Sequence, residues 1–110
     1  MSIGGNVDGM LQVKTITPNR IGENKPQWTD IHTLTGWLDL SGGDSKYSNF
    51  SAKMQESTHV FISDYINLDE MGITAENARL VVNKKVYEIL LIDNPMEMNQ
   101  QLEIYLKFVG

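Results

Sequence analysis

Only a few residue types in this 110-residue chain could carry chemistry, and none of them falls into a working pattern. There are two histidines, His32 and His59, and no cysteine. A metal site built on the pair would need both rings close together plus carboxylates, and neither HxH nor HExxH spacing is present. Each histidine has apolar neighbours in a strand-like stretch, so a partly buried or surface strand histidine is the favoured reading. Ser41-Gly42-Gly43 lacks the Gly-x-Ser-x-Gly elbow that strains and exposes a nucleophilic serine, and reads as a turn. Gly42-Gly43-Asp44-Ser45-Lys46 lacks the spacing of a phosphate-cradling loop, and no strong helix follows it. Asp64, Asp69 and Glu70 lie close in sequence, but the glycine and terminal glutamate of a calcium loop are missing. No carboxylate pair is marked out for acid–base work. These observations argue against an enzyme and against any cofactor.

Charge narrows the remaining classes. The formal net charge is −5, which disfavours a general nucleic-acid binder whose affinity rests on Lys and Arg at phosphates. It does not disfavour a protein that surrounds DNA without gripping it, because an acidic lining leaves a polyanion mobile. Trp28, Trp37, Tyr87 and Tyr105 could stack bases in an oligonucleotide-binding barrel. The only basic pair, Lys84-Lys85, sits at a hairpin tip, so the aromatics are better assigned to the core or to a subunit contact. The longest apolar run, Ile89-Leu90-Leu91-Ile92, is too short to span a bilayer. The N-terminus lacks the basic and apolar stretches of a signal peptide, and a soluble, cytoplasmically made protein is expected.

The elements that would position any site are strands. From Leu102 to Phe108 every second residue is apolar, the period of a half-buried strand. Further strands are expected at Met10–Ile16, with Leu11, Val13 and Thr15 inward, at about Trp28–Leu40, and at Thr58–Tyr65. Ala78–Asn83 and Val86–Asp93 form a hairpin through Asn83-Lys84, since Asn tolerates the left-handed backbone of such a turn. Gly36 in mid-strand suggests a bulge or sharp bend. Thr17 to Pro26, with two prolines, reads as a long loop. Tyr47, Phe50 and Met54 have helical spacing, so residues 45–56 read as a short helix or a mobile loop. Residues 66–77 form a second long connection, with one helical turn stopped by Gly72. The fold class is mainly β: a small six-stranded antiparallel barrel or sandwich, with one short helix or loop between strands 2 and 3. Residues 1–9 are expected to fray, and 10–110 form one domain.

The order of these pieces resembles the head–tail joining, or head-closure, proteins of tailed bacteriophages. A strand is followed by Arg20-Ile21-Gly22-Glu23-Asn24 and Trp28-Thr29-Asp30-Ile31. An aromatic strand then ends in a Ser-Gly turn, Gly36-Trp37-Leu38-Asp39-Leu40-Ser41-Gly42-Gly43. Ser57-Thr58-His59-Val60-Phe61-Ile62 is similar to the family's Thr-His-x-Val-x-Ile strand. Ala78-Arg79-Leu80-Val81-Val82-Asn83-Lys84-Lys85-Val86-Tyr87-Glu88-Ile89, Ile92-Asp93 and Leu102-Glu103-Ile104-Tyr105-Leu106 match its closing hairpin and last strand. The resemblance covers roughly residues 10–109. One departure is Ser63-Asp64, where the family often has a basic residue.

The resemblance implies a non-enzymatic virion component, made in the bacterial cytoplasm. It would assemble as a homo-oligomeric ring beneath the portal and its adaptor, bridging head to tail. Double-stranded DNA would pass through without sequence-specific binding, and the ring would help retain the packaged genome. By analogy Ser41 to Ser57 would supply a channel loop, with Gly42, Gly43, Asp44, Ser45, Lys46, Tyr47, Ser48, Asn49 and Phe50 as candidates. The Pro18–Pro26 loop would contact neighbouring rings through Arg20, Ile21, Gly22, Glu23, Asn24 and Lys25. The alternatives are a tail-completion or tail-side assembly protein and, ranked lower, a single-stranded nucleic-acid-binding barrel.

Overall fold

The structure, a computed structural model, describes residues 4–18, 21–22, 24–40 and 57–110. Its six strands are β1 (Val7–Pro18), β2 (Asn24–Leu40), β3 (His59–Asp64), β4 (Ala78–Val82), β5 (Lys85–Asp93) and β6 (Gln101–Phe108). All pairings are antiparallel, and the order β1-β2-β3-β6-β5-β4 closes on itself through β1 and β4. The mainly β, six-stranded antiparallel fold expected from the alternation is therefore the fold observed. The expected helix or loop between strands 2 and 3 lies outside the described residues. Among the described residues, the only helical element is one 3-10 turn at Pro95–Glu97, and no helix is long and apolar enough to cross a membrane.

Alternation fills the interior. Leu11, Leu34, Phe61, Leu80, Val82, Tyr87, Ile89, Leu102, Ile104 and Leu106 are all buried, and Leu11, Phe61, Leu80, Ile104 and Leu106 have no exposure at all. Every fully buried apolar side chain contributes about 1.5–3 kcal/mol by removal from water, so this cluster dominates the stability of the domain. Thr15 is exposed rather than inward. At that point β1 has left the barrel wall, because β4 pairs only with Gly9–Val13.

The 66–77 connection is an ordered cork. Gly72 N–H donates to Asp69 O and Ile73 N–H donates to Leu68 O, the paired bonds of a Schellman stop. Gly72 takes the left-handed conformation this requires, φ +71°. The apolar contact that accompanies the motif is Leu68 with Ile73, 6% and 1% exposed, both pressed onto the barrel core. Asn77 locks the rest: its Oδ1 accepts from Thr74 N–H, its Nδ2 donates to Gly72 O, and its own N–H donates to Thr74 Oγ1. The Asn83-Lys84 hairpin turn is as expected, with φ of 51° and 66°, the primed turn that matches strand twist.

Gly36 marks a close approach instead of a bulge. It is where β2 changes partner, pairing with Val7 of β1 and Ser63 of β3. A Cβ there would lie 2.2 Å from Ile62 O and 2.9 Å from Phe61 Cε1. The bulges fall elsewhere. Leu11 pairs with His32 while Gln12 pairs with Asp30, so Ile31 is the extra residue in β2. Leu90 is the extra residue in β5. Each bulge reverses which face the following residues occupy.

Candidate assembly surfaces

The most prominent feature outside the barrel is an arm. Beyond Val13, β1 pairs with β2 alone, from Lys14↔Trp28 out to Pro18↔Asn24. Five residue pairs make a ribbon about 17 Å long at a strand rise of about 3.4 Å per residue. It helps to draw the Cα frame out to 50 Å along one axis, against 29 and 26 Å along the others. This corrects the expected Thr17–Pro26 loop. Asn24 and Lys25 lie in β2, not in a loop, and the connection shrinks to residues 19–23. Pro18 and Pro26 are tolerated because a two-stranded ribbon has unpaired outer edges where a missing N–H costs no ladder bond. Of the predicted ring-contact residues, Ile21 is 79% exposed at the tip and Gly22 turns the chain with φ +84°. Arg20 and Glu23 lie outside the described residues, as does the whole predicted channel loop, Gly42 to Phe50.

The outer wall of the barrel carries two distinct surfaces. On the β4 side, Arg79 is fixed in place. Its Nε donates to Gln12 Oε1 at 2.7 Å, and Gln12 Nε2 donates to Asp30 Oδ1 at 2.7 Å. The guanidinium carbon stands 4.3 Å from the centre of the Trp28 ring, a cation–π contact worth about 0.5–2 kcal/mol. Arg79 also registers with Glu88, and Glu88 with Lys107, giving alternating charges across three strands. Beside this row runs an apolar one, Met10↔Val81↔Val86.

On the β3 side, cross-strand register builds the rows Trp37↔Ile62↔Glu103↔Asp93 and Asp39↔Val60↔Tyr105↔Leu91. Glu103 is held by Gln101 Nε2 at 2.8 Å and by the Tyr105 hydroxyl at 3.0 Å. Burial, and then the Glu103 carboxylate opposite, push the Asp93 carboxyl above its ordinary pKa, against a lowering backbone hydrogen bond at Asn94. A patch of apolar side chains is thus bordered by carboxylates.

Sequence reasoning placed the tryptophans in the core or at a subunit contact, and both stand on the outer wall. The reason for Trp28 is the Ile31 bulge, which puts Trp28 and Asp30 on the outer face opposite Lys14 and Gln12. Strict alternation from Leu34 puts both inside. Arg79 was detectable as the polar position between Ala78 and Leu80, but its stacking partner was not. His32 is exposed, and His59 is half-buried with Nδ1 2.9 Å from Thr58 Oγ1 and its ring edge-on to Tyr87 at 5.1 Å. Among the described residues no three His, Asp or Glu side chains are placed to hold a metal ion. A cleft of about 320 Å³ beside the cork is lined by Leu68, Asp69, Ile73, Glu76, Ile92 and Leu102. No protein-family model matches this chain, and no curated protein matches it.

Proposed function

We propose that the chain is a structural virion protein that joins the head of a tailed bacteriophage to its tail, as one subunit of a ring below the portal and adaptor, and that it helps retain packaged DNA. The observation that carries this reading is where the domain keeps its unsatisfied apolar surface. The interior is filled by its own side chains, while Ile16, Ile21 and Trp37 are 58%, 79% and 46% exposed on the arm and outer wall, and Leu40 is 72% exposed at the end of β2. Scattered exposed apolar residues are ordinary, but apolar residues gathered on an arm and on a registered strand row suit contact with other subunits. The resemblance in strand order and the acidic charge, −5, favour a conduit over a DNA-gripping protein.

The test is deletion of the gene from the phage or prophage that encodes it, followed by electron microscopy and nuclease protection. Filled heads that lack tails and lose their DNA are expected. Tailed, DNA-filled, infectious particles refute the reading. Filled heads that keep their DNA beside incomplete tails move the protein to the tail-completion role.

A further inference from the structure

The barrel is electrically two-sided. Lys14, Arg79, Lys84, Lys85 and Lys107 lie on β1, on β4, at the β4–β5 turn and start of β5, or at the end of β6. The β3 side instead gathers Asp39, Asp93 and Glu103, which register with Val60, with each other and with Ile62. In the cyclic strand order β3 and β4 are three steps apart in either direction, and Glu103 and Asp93, on β6 and β5, lie four and five residues along those strands from Lys107 and Glu88, so the acidic and basic patches are separate. Each surface sets apolar beside charged side chains: Met10, Val81 and Val86 beside Arg79, Glu88 and Lys107 on one, Trp37, Ile62 and Val60 beside Asp39, Glu103 and Asp93 on the other. Each also holds its central charge rigid, Arg79 against Trp28 and Gln12, Glu103 between Gln101 and Tyr105.

We propose that these surfaces dock on each other between copies of this chain, the β4 side of one seating Arg79 and Val81 against Ile62, Glu103 and Asp93 on the β3 side of the next. The proposal rests on the ring-subunit reading and names the surfaces that reading requires. Two different patches in contact make a head-to-tail interface, the type that generates rings. Most acids near the β4 side are already engaged: Glu88 lies between Arg79 and Lys107, Asp30 accepts from Gln12 and Asp8 from Thr35, while Glu76 shares a cleft with Lys14 and Arg79. Asp93 and Glu103 are like charges directly opposite each other, which destabilises an isolated subunit. A guanidinium fork arriving from a neighbour relieves that repulsion, since Arg matches carboxylate geometry.

The test uses the purified full chain and two variants in sedimentation velocity at low salt. Wild type is expected to grow in size with concentration and to shrink as salt is added. Arg79→Glu and Ile62→Glu each disable one surface and are expected to weaken self-association about tenfold or more. Their equimolar mixture is expected to form a dimer that grows no further, because R79E keeps an intact β3 side and I62E an intact β4 side. Trp37→Glu, at a more exposed position of the same row, replaces I62E if the latter lowers the urea midpoint. A wild type that stays monomeric, or a mixture that either fails to pair or extends like wild type, overturns the proposal. A wild type that assembles with indifference to these substitutions overturns the choice of surfaces and leaves the head–tail reading intact. The virion experiment above tests that reading separately.

Discussion

Gly36→Ala should be among the most damaging single-methyl additions in this domain. The new Cβ would sit 2.2 Å from Ile62 O, a backbone atom, whereas real Cβ contacts essentially never fall below 3.0 Å. The β2 and β3 backbones must therefore separate by at least 0.8 Å at this point, the difference between those two distances. A ladder bond of about 2.9 Å stretched by that much is lost, at about 1 kcal/mol. The strain of overpacking adds about 1–3 kcal/mol. The sum, about 2–4 kcal/mol, compares with a total stability of roughly 5–15 kcal/mol for a domain. With a urea m-value of about 1.5 kcal/mol/M, the midpoint should fall by roughly 1.5–2.5 M. Phe61→Leu removes the 2.9 Å side-chain clash and leaves the backbone clash. A double-mutant cycle should therefore show less than about 0.5 kcal/mol of rescue. A G36A midpoint within about 0.3 M of wild type would refute the close-approach argument, since the unfolded-state gain from Gly→Ala is only about 0.4–1 kcal/mol.

Asp93→Asn should raise stability at neutral pH. The Asp93 carboxyl titrates above its ordinary value of 3.8 because of burial and then Glu103, so the folded state holds that proton more tightly than the unfolded state. Wild type therefore loses stability as pH rises through the window just above 3.8. The variant's advantage, about 0.2–1 kcal/mol, should appear in thermal melts at pH 7 and close on acidification. An advantage that instead widens in acid reverses the sign and rejects the assignment. Lys84→Gly should stabilise by about 0.5–1 kcal/mol, because Lys84 holds φ +66° where Gly adopts the turn without a Cβ penalty; urea denaturation measures it, and a loss would mean the turn is not of the primed type. Ile73→Ala, at 1% exposure in the cork, should cost about 2–5 kcal/mol. Hydrogen exchange should then show residues 66–77 opening first, while uniform loss across the barrel would mean the cork is not a separate unit. A Trp28→Ala, Arg79→Ala cycle should give about 0.5–1 kcal/mol of coupling at this half-buried stack. Zero coupling would show that the stack does not hold Arg79.

What the sequence disclosed was local. The alternation of Leu102, Ile104 and Leu106, the Asn83-Lys84 turn and the stop at Gly72 are each written within a few residues, and each is observed. What it withheld depends on partners far along the chain. The bulges at Ile31 and Leu90 exist because β2 and β5 must bend around a closed sheet, and a single extra residue leaves no compositional mark. For that reason the alternation around Leu34 does not show that Trp28 and Asp30 face outward. Pro18 and Pro26 looked like loop residues because proline opposes a paired strand. They are strand residues here only because the ribbon beyond Val13 has open edges. The two-sided charge was equally hidden, since Arg79, Glu88 and Lys107 become neighbours only once β4, β5 and β6 pair.

Those open edges carry a hazard that the same irregularities contain. From Asn24 to Thr35, no described strand covers the far edge of β2. A flat border of that length invites stacking into fibrils. Pro26 withholds a donor, Ile31 breaks the repeat that a visiting strand would have to match, and Asp30 adds a fixed charge between them. The extra residue that shifts the alternation in β2 thus also hinders copies of this chain from zipping together edge to edge.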